Sequence, residues 1–162
     1  MSVADPASAS QTAAKTLRGD FGDAATATLA ALAAALEQTP PFNQRWTIYR
    51  QMADIGGSDA VAALGRAIGA EKDAGIRYMT AALLRDLGTR QAEDAPAAAA
   101  AIAKTHAAET DAYARRSMEL SLADLAAARP ATAVIAAAAI AGGLEKPSDT
   151  LTRCLQAGQL TV

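Results

Sequence analysis

The sequence has little cysteine and almost no excess charge, and each shortage excludes a class of protein. Cys154 is the only cysteine, so no disulfide can form within the chain and a disulfide-stabilised fold is excluded. Lys and Arg total 15 against 17 Asp and Glu, which gives a net charge of −2. The strongly basic surface that nucleic-acid binding requires is therefore missing, and we expect no nucleic-acid partner.

Long apolar runs and an export signal are missing as well. The longest apolar stretch, residues 131–143, is 13 residues long, and a bilayer-spanning helix needs ~20. The amino-terminal segment carries Asp5 and Pro6 where a signal peptide has a basic start followed by an apolar run. Together with the single cysteine, these features predict a cytoplasmic protein that makes no membrane contact.

Aromatic residues make up only 4% of the chain although 51% of it is hydrophobic. The apolar content therefore consists of small side chains, chiefly alanine, which has the highest helix propensity. No long stretch alternates apolar and polar residues as a strand would, and apolar residues recur three or four positions apart instead. The length of 162 residues fits one domain. We therefore predict an all-α protein.

Glycine and proline residues divide the apolar blocks into about eight predicted helices. Residues 1–22 contain almost no large apolar side chains, so we expect a flexible N-terminal tail there and one helical domain over residues 23–162. The predicted helices cover residues 24–37, 43–55, 59–69, 74–87, 92–105, 111–127, 130–141 and 149–158.

Helix boundaries and core positions follow from the same pattern. Four helix starts carry a residue whose side chain can accept from the first turn as an N-cap: Ser58 or Asp59, Asp73, Asp111, and Ser148 or Asp149. Gly56, Gly88 and Gly142 follow apolar runs, where a left-handed residue closes a helix. The apolar periodicity predicts these buried positions: Ile48, Met52, Ile55, Leu84, Leu87, Met118, Leu122 and Leu125.

A group of residues recurs along the chain at a nearly constant spacing. Arg stands at positions 45, 77, 115 and 153, with Asp four positions before the last three of them and nine positions after the first three. An apolar residue follows ten positions after the first three, at Ile55, Leu87 and Leu125. Periods of roughly 20–50 residues are typical of repeat proteins, in which helical units bury their apolar stripes against neighbouring units.

The copy of this pattern around Arg77 contains Ile76-Arg77, Thr80-Ala81, Leu84 and Leu87-Gly88. It resembles the HEAT-like repeat family, in particular the short form of phycobilisome-lyase-type bacterial proteins. The resemblance covers residues from about 23 to the end of the chain. It implies an α-solenoid of about four helix-pair repeats in a right-handed, curved stack. The Arg-bearing helices would then line the concave face and the Ala-rich helices the convex face.

Residues suited to catalysis or metal binding are few. His106 is the only histidine, and we expect an exposed or helix-capping residue because no partner for a catalytic or metal role is marked. We expect Cys154 to be a buried apolar thiol. No Gly-rich phosphate loop, serine nucleophile motif or His-Glu zinc motif is present. We therefore name no catalytic residue, no metal ligand and no cofactor.

The recurrent Arg and Asp residues are predicted to form polar ladders that tie helix starts to the turns between repeats. The solvent side of the Arg-bearing helices carries residue types that are enriched at binding surfaces. The predicted partner-binding residues are Trp46, Arg50, Tyr78, Met79, Arg116 and Leu120. For Trp46, packing between repeats is an equally weighted alternative.

The sequence favours a non-catalytic interaction or scaffold module that binds a protein or peptide segment on its concave face. The alternative is an enzyme subunit, or a lyase-like or chaperone-like protein that handles a cofactor or small molecule in the concave groove. The sequence is also compatible with self-association into a homo-oligomer.

Overall fold

The computed structural model describes residues 6–144, with side chains described over 22–143. Helices account for nearly all of this range, and no strand occurs within it. The elements are α1 (Pro6–Glu37), α2 (Phe42–Ile55), α3 (Gly57–Ala70), α4 (Ala74–Arg90), α5 (Ala95–Ala108), α6 (Ala112–Ala128), a 3-10 turn (Pro130–Thr132) and α7 (Ala133–Leu144). The all-α prediction is confirmed. The predicted eighth helix, with Arg153 and Cys154, lies outside the described residues.

Two of the predicted N-caps form, at α4 and α6. The N-cap predicted from Ser58 or Asp59 does not form, because α3 begins at Gly57 and its N-cap residue is Gly56, which has no capping side chain. The N-cap predicted from Ser148 or Asp149 lies outside the described residues. Asp73 accepts a hydrogen bond from the amide of Ile76 at 3.1 Å. Asp111 accepts from the amides of Tyr113 and Ala114 at 3.0 and 2.9 Å. These bonds satisfy amides that have no partner inside the helix, so α4 and α6 begin where the sequence predicts.

The first helix is longer than the sequence predicts. α1 begins at Pro6 rather than near residue 24, and proline is well suited to a first helical position because its missing N–H would have no partner there. Whether the segment before residue 23 is flexible stays a prediction.

Gly88 is predicted to close α4, but the helix continues to Arg90. Gly142 is also predicted to close a helix, but it lies inside α7, which continues to Leu144. Gly88 is buried where α4 meets α5 and α6. A Cβ atom there would lie 2.9 Å from Leu125 Cδ2 and 3.0 Å from Ala95 Cα. The glycine is therefore needed for the close approach of helices. Gly56, between α2 and α3, does adopt a positive φ, of 73°, which glycine accommodates without steric cost.

The helices pack in two rows. Each helix contacts the next one along the chain and the next but one, so that α1, α3, α5 and α7 form one row and α2, α4 and α6 the other. Among residues 6–144, no helix contacts another that is more than two helices away. The core therefore runs between the two rows, and each helix contributes to it through its immediate neighbours.

Most of the predicted core positions are buried. Met52, Leu84, Leu87, Met118, Leu122 and Leu125 are at most 2% exposed. Ile48 and Ile55 are only partly buried and pack against the edge of the core. Both lie on α2, the first helix of its row, which has a row neighbour on one side only. Ile48 and Ile55 are therefore less buried than the other predicted core residues because α2 stands at the end of its row.

A matched pair of glycine substitutions tests the close packing at Gly88. Gly88→Ala is expected to lower the free energy of unfolding by ~1–3 kcal/mol, because the new methyl overpacks the contact between α4, α5 and α6. Gly69→Ala, on exposed α3 surface with nothing within 4 Å of the new Cβ, should raise it by ~0.5–1 kcal/mol through helix propensity. Urea unfolding measures both. A Gly88→Ala variant that is stabilised as much as Gly69→Ala would contradict the packing.

Candidate functional site

Arg77 ties the start of α4 to the turn between α5 and α6. Its Nε and Nη2 donate to the two carboxylate oxygens of Glu109 at 2.6 and 2.7 Å. Its Nη1 donates to the backbone carbonyls of Glu71 and Lys72 at 3.1 and 2.8 Å. The Glu109 side chain is only 1% exposed. Two parallel bonds between a guanidinium and a carboxylate fix orientation as well as distance, so this pair holds two neighbouring helix pairs in register.

The other recurrent arginines make related contacts. Arg45 Nε donates to Glu71 Oε2 at 3.2 Å, and its Nη1 donates to the carbonyl of Pro40 at 3.0 Å. Arg115 Nη2 donates to the carbonyl of Glu109 at 2.6 Å. These three arginines therefore join helix starts to turns between helices, as the sequence predicts.

The acidic partners of these arginines are Glu71 and Glu109, which the predicted ladder of Arg and Asp residues does not include. Each follows directly after a helix and stands two positions before the N-cap aspartate of the next one. Their carboxylates also hold the turns: Glu71 accepts from the amide of Asp73 at 2.8 Å, and Glu109 accepts from the amides of Thr110 and Asp111 at 2.9 Å. The signal was present in the sequence as Glu-x-Asp-x-x-x-Arg, which occurs at residues 71–77 and again at 109–115.

The environment of Glu109 shifts its acidity. Burial by itself raises the pKa of the Glu109 carboxyl, but the bonds from Arg77 and from the amides of Asp111 and Thr110 outweigh burial. The net effect is a pKa below the ordinary value of 4.5. The charged form of Glu109 is therefore the form that stabilises the fold.

Four of the six predicted partner-binding residues lie on the solvent side of the α2, α4 and α6 row. We call this surface, made of Arg50, Tyr78, Arg116 and Leu120, the α2–α4–α6 face. Tyr78 is 49% and Leu120 42% exposed, Arg50 is exposed, and Arg116 is half-buried. The hydroxyl of Ser117, next to Arg116 on α6, donates to the Tyr78 carbonyl at 3.0 Å. This bond joins α4 to α6, the two helices that carry Tyr78, Arg116 and Leu120.

The other two predicted residues, Trp46 and Met79, are partly buried and pack against the hydrophobic core. For Trp46 this placement agrees with the packing alternative. Two exposed aromatic residues were not named from the sequence, Phe42 at 42% and Tyr113 at 81% exposed. Both lie on the same row of helices, at the starts of α2 and α6.

The sequence predicts that His106 is exposed or caps a helix. The residue is instead buried, with only 2% of its surface exposed. Its Nε2 lies 3.2 Å from Oε1 of Glu119, which is fully buried. His106 stands 38 positions after Ile68, which is also fully buried, so the repeat register places it in the core. The polar contact with Glu119 offsets part of the cost of burying both groups.

A cleft of about 650 Å³ opens between α1, α2 and α3. Leu36, Ala63 and Ala67 supply apolar walls, and Tyr49 stands at its inner side. The Tyr49 hydroxyl oxygen lies 3.1 Å from the carbonyl oxygen of Ala67 and 3.2 Å from Glu71 Oε2, so its one proton is shared between these two acceptors. Burial, followed by the nearby Glu71 carboxylate, raises the pKa of Tyr49 well above its ordinary value. No pattern in the sequence indicates this cleft, because its shape depends on how α1 packs against α2 and α3.

Comparison with protein-family models, with curated proteins and with solved structures found no match for this chain. Within residues 6–144, no helix combines the length and the apolar character that crossing a bilayer requires. The described side chains also contain no group of three or more His, Cys, Asp or Glu residues placed to hold a metal ion.

The lowered pKa of Glu109 predicts a loss of stability in acid. Its contribution to the free energy of unfolding is complete above the unfolded-state pKa, near 4.5, and is lost as the pH falls through the lower folded-state value. Glu109→Gln should therefore lose less stability than the wild type between pH 6 and pH 3, measured by urea unfolding at each pH. Glu37→Gln, at an exposed position on α1, is the control and should follow the wild type. Equal losses in the wild type and Glu109→Gln would contradict the assignment.

Proposed function

We propose that this chain is a non-catalytic interaction module of the HEAT-like type, an α-solenoid that binds a protein or peptide segment on the α2–α4–α6 face. In this proposal the helix pairs form a right-handed, curved stack, and the α2–α4–α6 face is its concave side. The function is to hold a partner segment in place rather than to convert a substrate.

Two observations support the solenoid. Contacts run only between helices one or two places apart over residues 6–144, which is the pattern of a protein built from stacked units. The contacts of Arg77 and Arg115 with the turns before them repeat after 38 residues, as do the turn-binding carboxylates of Glu71 and Glu109. A recurring contact at a recurring spacing is expected when each unit packs on the next in the same way.

The exposure of Tyr78 and Leu120 is the observation that carries the binding proposal. Both are large apolar side chains more than 40% exposed, and they lie on adjacent helices in contact with each other. Tyrosine and arginine are enriched among residues that dominate binding energies, and Arg116 stands one turn from Leu120 on α6. A partner that covers these side chains would remove their apolar surface from water.

Charge on this face favours an acidic partner segment. Among the described residues, no carboxylate lies within 4 Å of the Arg50 guanidinium, although Asp54 is one turn away on α2. Two of the acidic groups farther along the row, Asp86 and Asp124, are already bound by Arg85. We therefore expect an amphipathic segment whose apolar side chains contact Tyr78 and Leu120 and whose carboxylates meet Arg50.

Selection from a random peptide library on the immobilised protein tests this proposal. Enriched peptides should combine acidic and large apolar residues, and Tyr78→Ala should weaken their binding by ~2 kcal/mol or more in fluorescence polarisation. The matched control is Val134→Ala, which removes an apolar side chain that is 80% exposed on α7 in the other row, and it should leave the affinity unchanged. Selected peptides that bind Tyr78→Ala and the wild type equally would show that this face is not the site.

A further inference from the structure

We propose that the cleft between α1, α2 and α3 is a second binding site, and that it takes a small amphipathic carboxylate with an apolar chain and a single negative charge. This site lies apart from the α2–α4–α6 face and does not depend on the function proposed for that face. Its volume of about 650 Å³ falls within the range of roughly 300–1,000 Å³ that is usual for small-molecule sites.

The walls of the cleft suit an apolar chain. Alanines at positions 33, 63, 67 and 70 supply much of the lining, and their short side chains leave the space between the helices open. Leu36 and the ring of Tyr49 add larger apolar surface. An apolar chain that enters this space loses its contact with water, and so do the walls, which is the main source of affinity in sites of this kind.

The polar groups at the inner end are already paired. Glu71 accepts from Arg45 Nε, from the Tyr49 hydroxyl and from the amide of Asp73, and its side chain is only 5% exposed. Arg45 also lies 3.8 Å from Asp73 Oδ2, which does not line the cleft, so the one positive charge at this end already has two carboxylate partners. The inner end does not require a charged group from the ligand, so the charged end of a ligand belongs at the mouth.

The mouth of the cleft carries the unbalanced charge. Arg66 on α3 and Lys72 in the next turn line it and are exposed, and neither has a carboxylate within 4 Å in the described part of the chain. The only other charged group at the mouth is Glu37. Among the residues that line the mouth, two cations against one anion leave one positive charge, and the planar guanidinium of Arg66 matches a carboxylate. The complementary ligand is a monoanion.

One wall of the cleft is held by a stiff turn. Thr39, two residues after the end of α1, has a φ of 50°, a left-handed conformation that is rare for a β-branched residue. Its amide donates to the carbonyl of Leu36 at 3.0 Å. Pro40 and Pro41 follow, and the Pro40 carbonyl accepts from Arg45. A turn fixed in this way costs little further ordering when a ligand binds, which favours affinity.

Titration with octanoate tests the proposal, with isothermal calorimetry as the measurement and the fluorescence of Trp46, the only tryptophan, as a second readout. Octanoate should bind saturably at one site per chain. Octanamide has the same chain and a neutral head group, and it should bind about tenfold more weakly because it lacks the charge-assisted bonds at the mouth. No saturable octanoate binding, or equal binding of the two compounds, would overturn the proposal.

Variants place the binding in the cleft. Ala67→Leu fills the space and should abolish octanoate binding, whereas Ala100→Leu, the same change on the exposed side of α5, should not. Circular dichroism and thermal unfolding check that each variant is folded. If Ala67→Leu does not fold, the surface variant with both Arg66→Gln and Lys72→Gln decides the matter, because it should remove the preference for octanoate over octanamide.

Two further results separate this site from the α2–α4–α6 face. Tyr78→Ala should bind octanoate as the wild type does, because Tyr78 does not line the cleft. Retained octanoate affinity in a folded Ala67→Leu variant, or retained preference in the doubly substituted surface variant, would overturn the assignment to the cleft.

Discussion

Arg77 and Glu109 form the interaction on which the arrangement of the helix pairs depends. The guanidinium binds the carboxylate of the following turn through two bonds at 2.6 and 2.7 Å and the carbonyls of the preceding turn through a third nitrogen. With the Glu109 side chain 1% exposed, removal of either partner would leave a charge with little access to water. The pair therefore constrains the distance and the orientation between successive turns, and the helices between those turns follow.

Small residues make this arrangement compact. Gly88 lets α4 approach α5 and α6 so closely that a single methyl group would overlap its neighbours. The two rows of helices also differ in composition. All five aromatic residues whose side chains the structure describes lie on α2, α4 and α6: Phe42, Trp46, Tyr49, Tyr78 and Tyr113. The proposed partner face and the proposed carboxylate site follow from the same packing, the first from its outer surface and the second from the space that alanines leave beside α1.

The sequence predicted the helices because apolar spacing and N-cap aspartates act locally, and Asp73 and Asp111 cap as expected. It predicted the role of the recurrent arginines because their spacing is regular. Gly88 and His106 were predicted wrongly because their roles are set by neighbours distant in sequence: Gly88 faces Leu125, and His106 pairs with Glu119. The cleft was beyond prediction because its shape depends on how three helices pack, which no local pattern encodes.

A double-mutant cycle on Arg77 and Glu109 tests the central claim most directly. Urea unfolding of Arg77→Ala, Glu109→Ala and the double variant gives the coupling between the two side chains, which should be at least ~1.5 kcal/mol for a buried, doubly bonded pair. The exposed pair Arg85 and Asp124, which joins α4 to α6, is the reference and should couple by less than ~1 kcal/mol. Additive effects of the Arg77 and Glu109 substitutions, with no more coupling than in the reference pair, would contradict the claim that this pair holds the helix pairs in register.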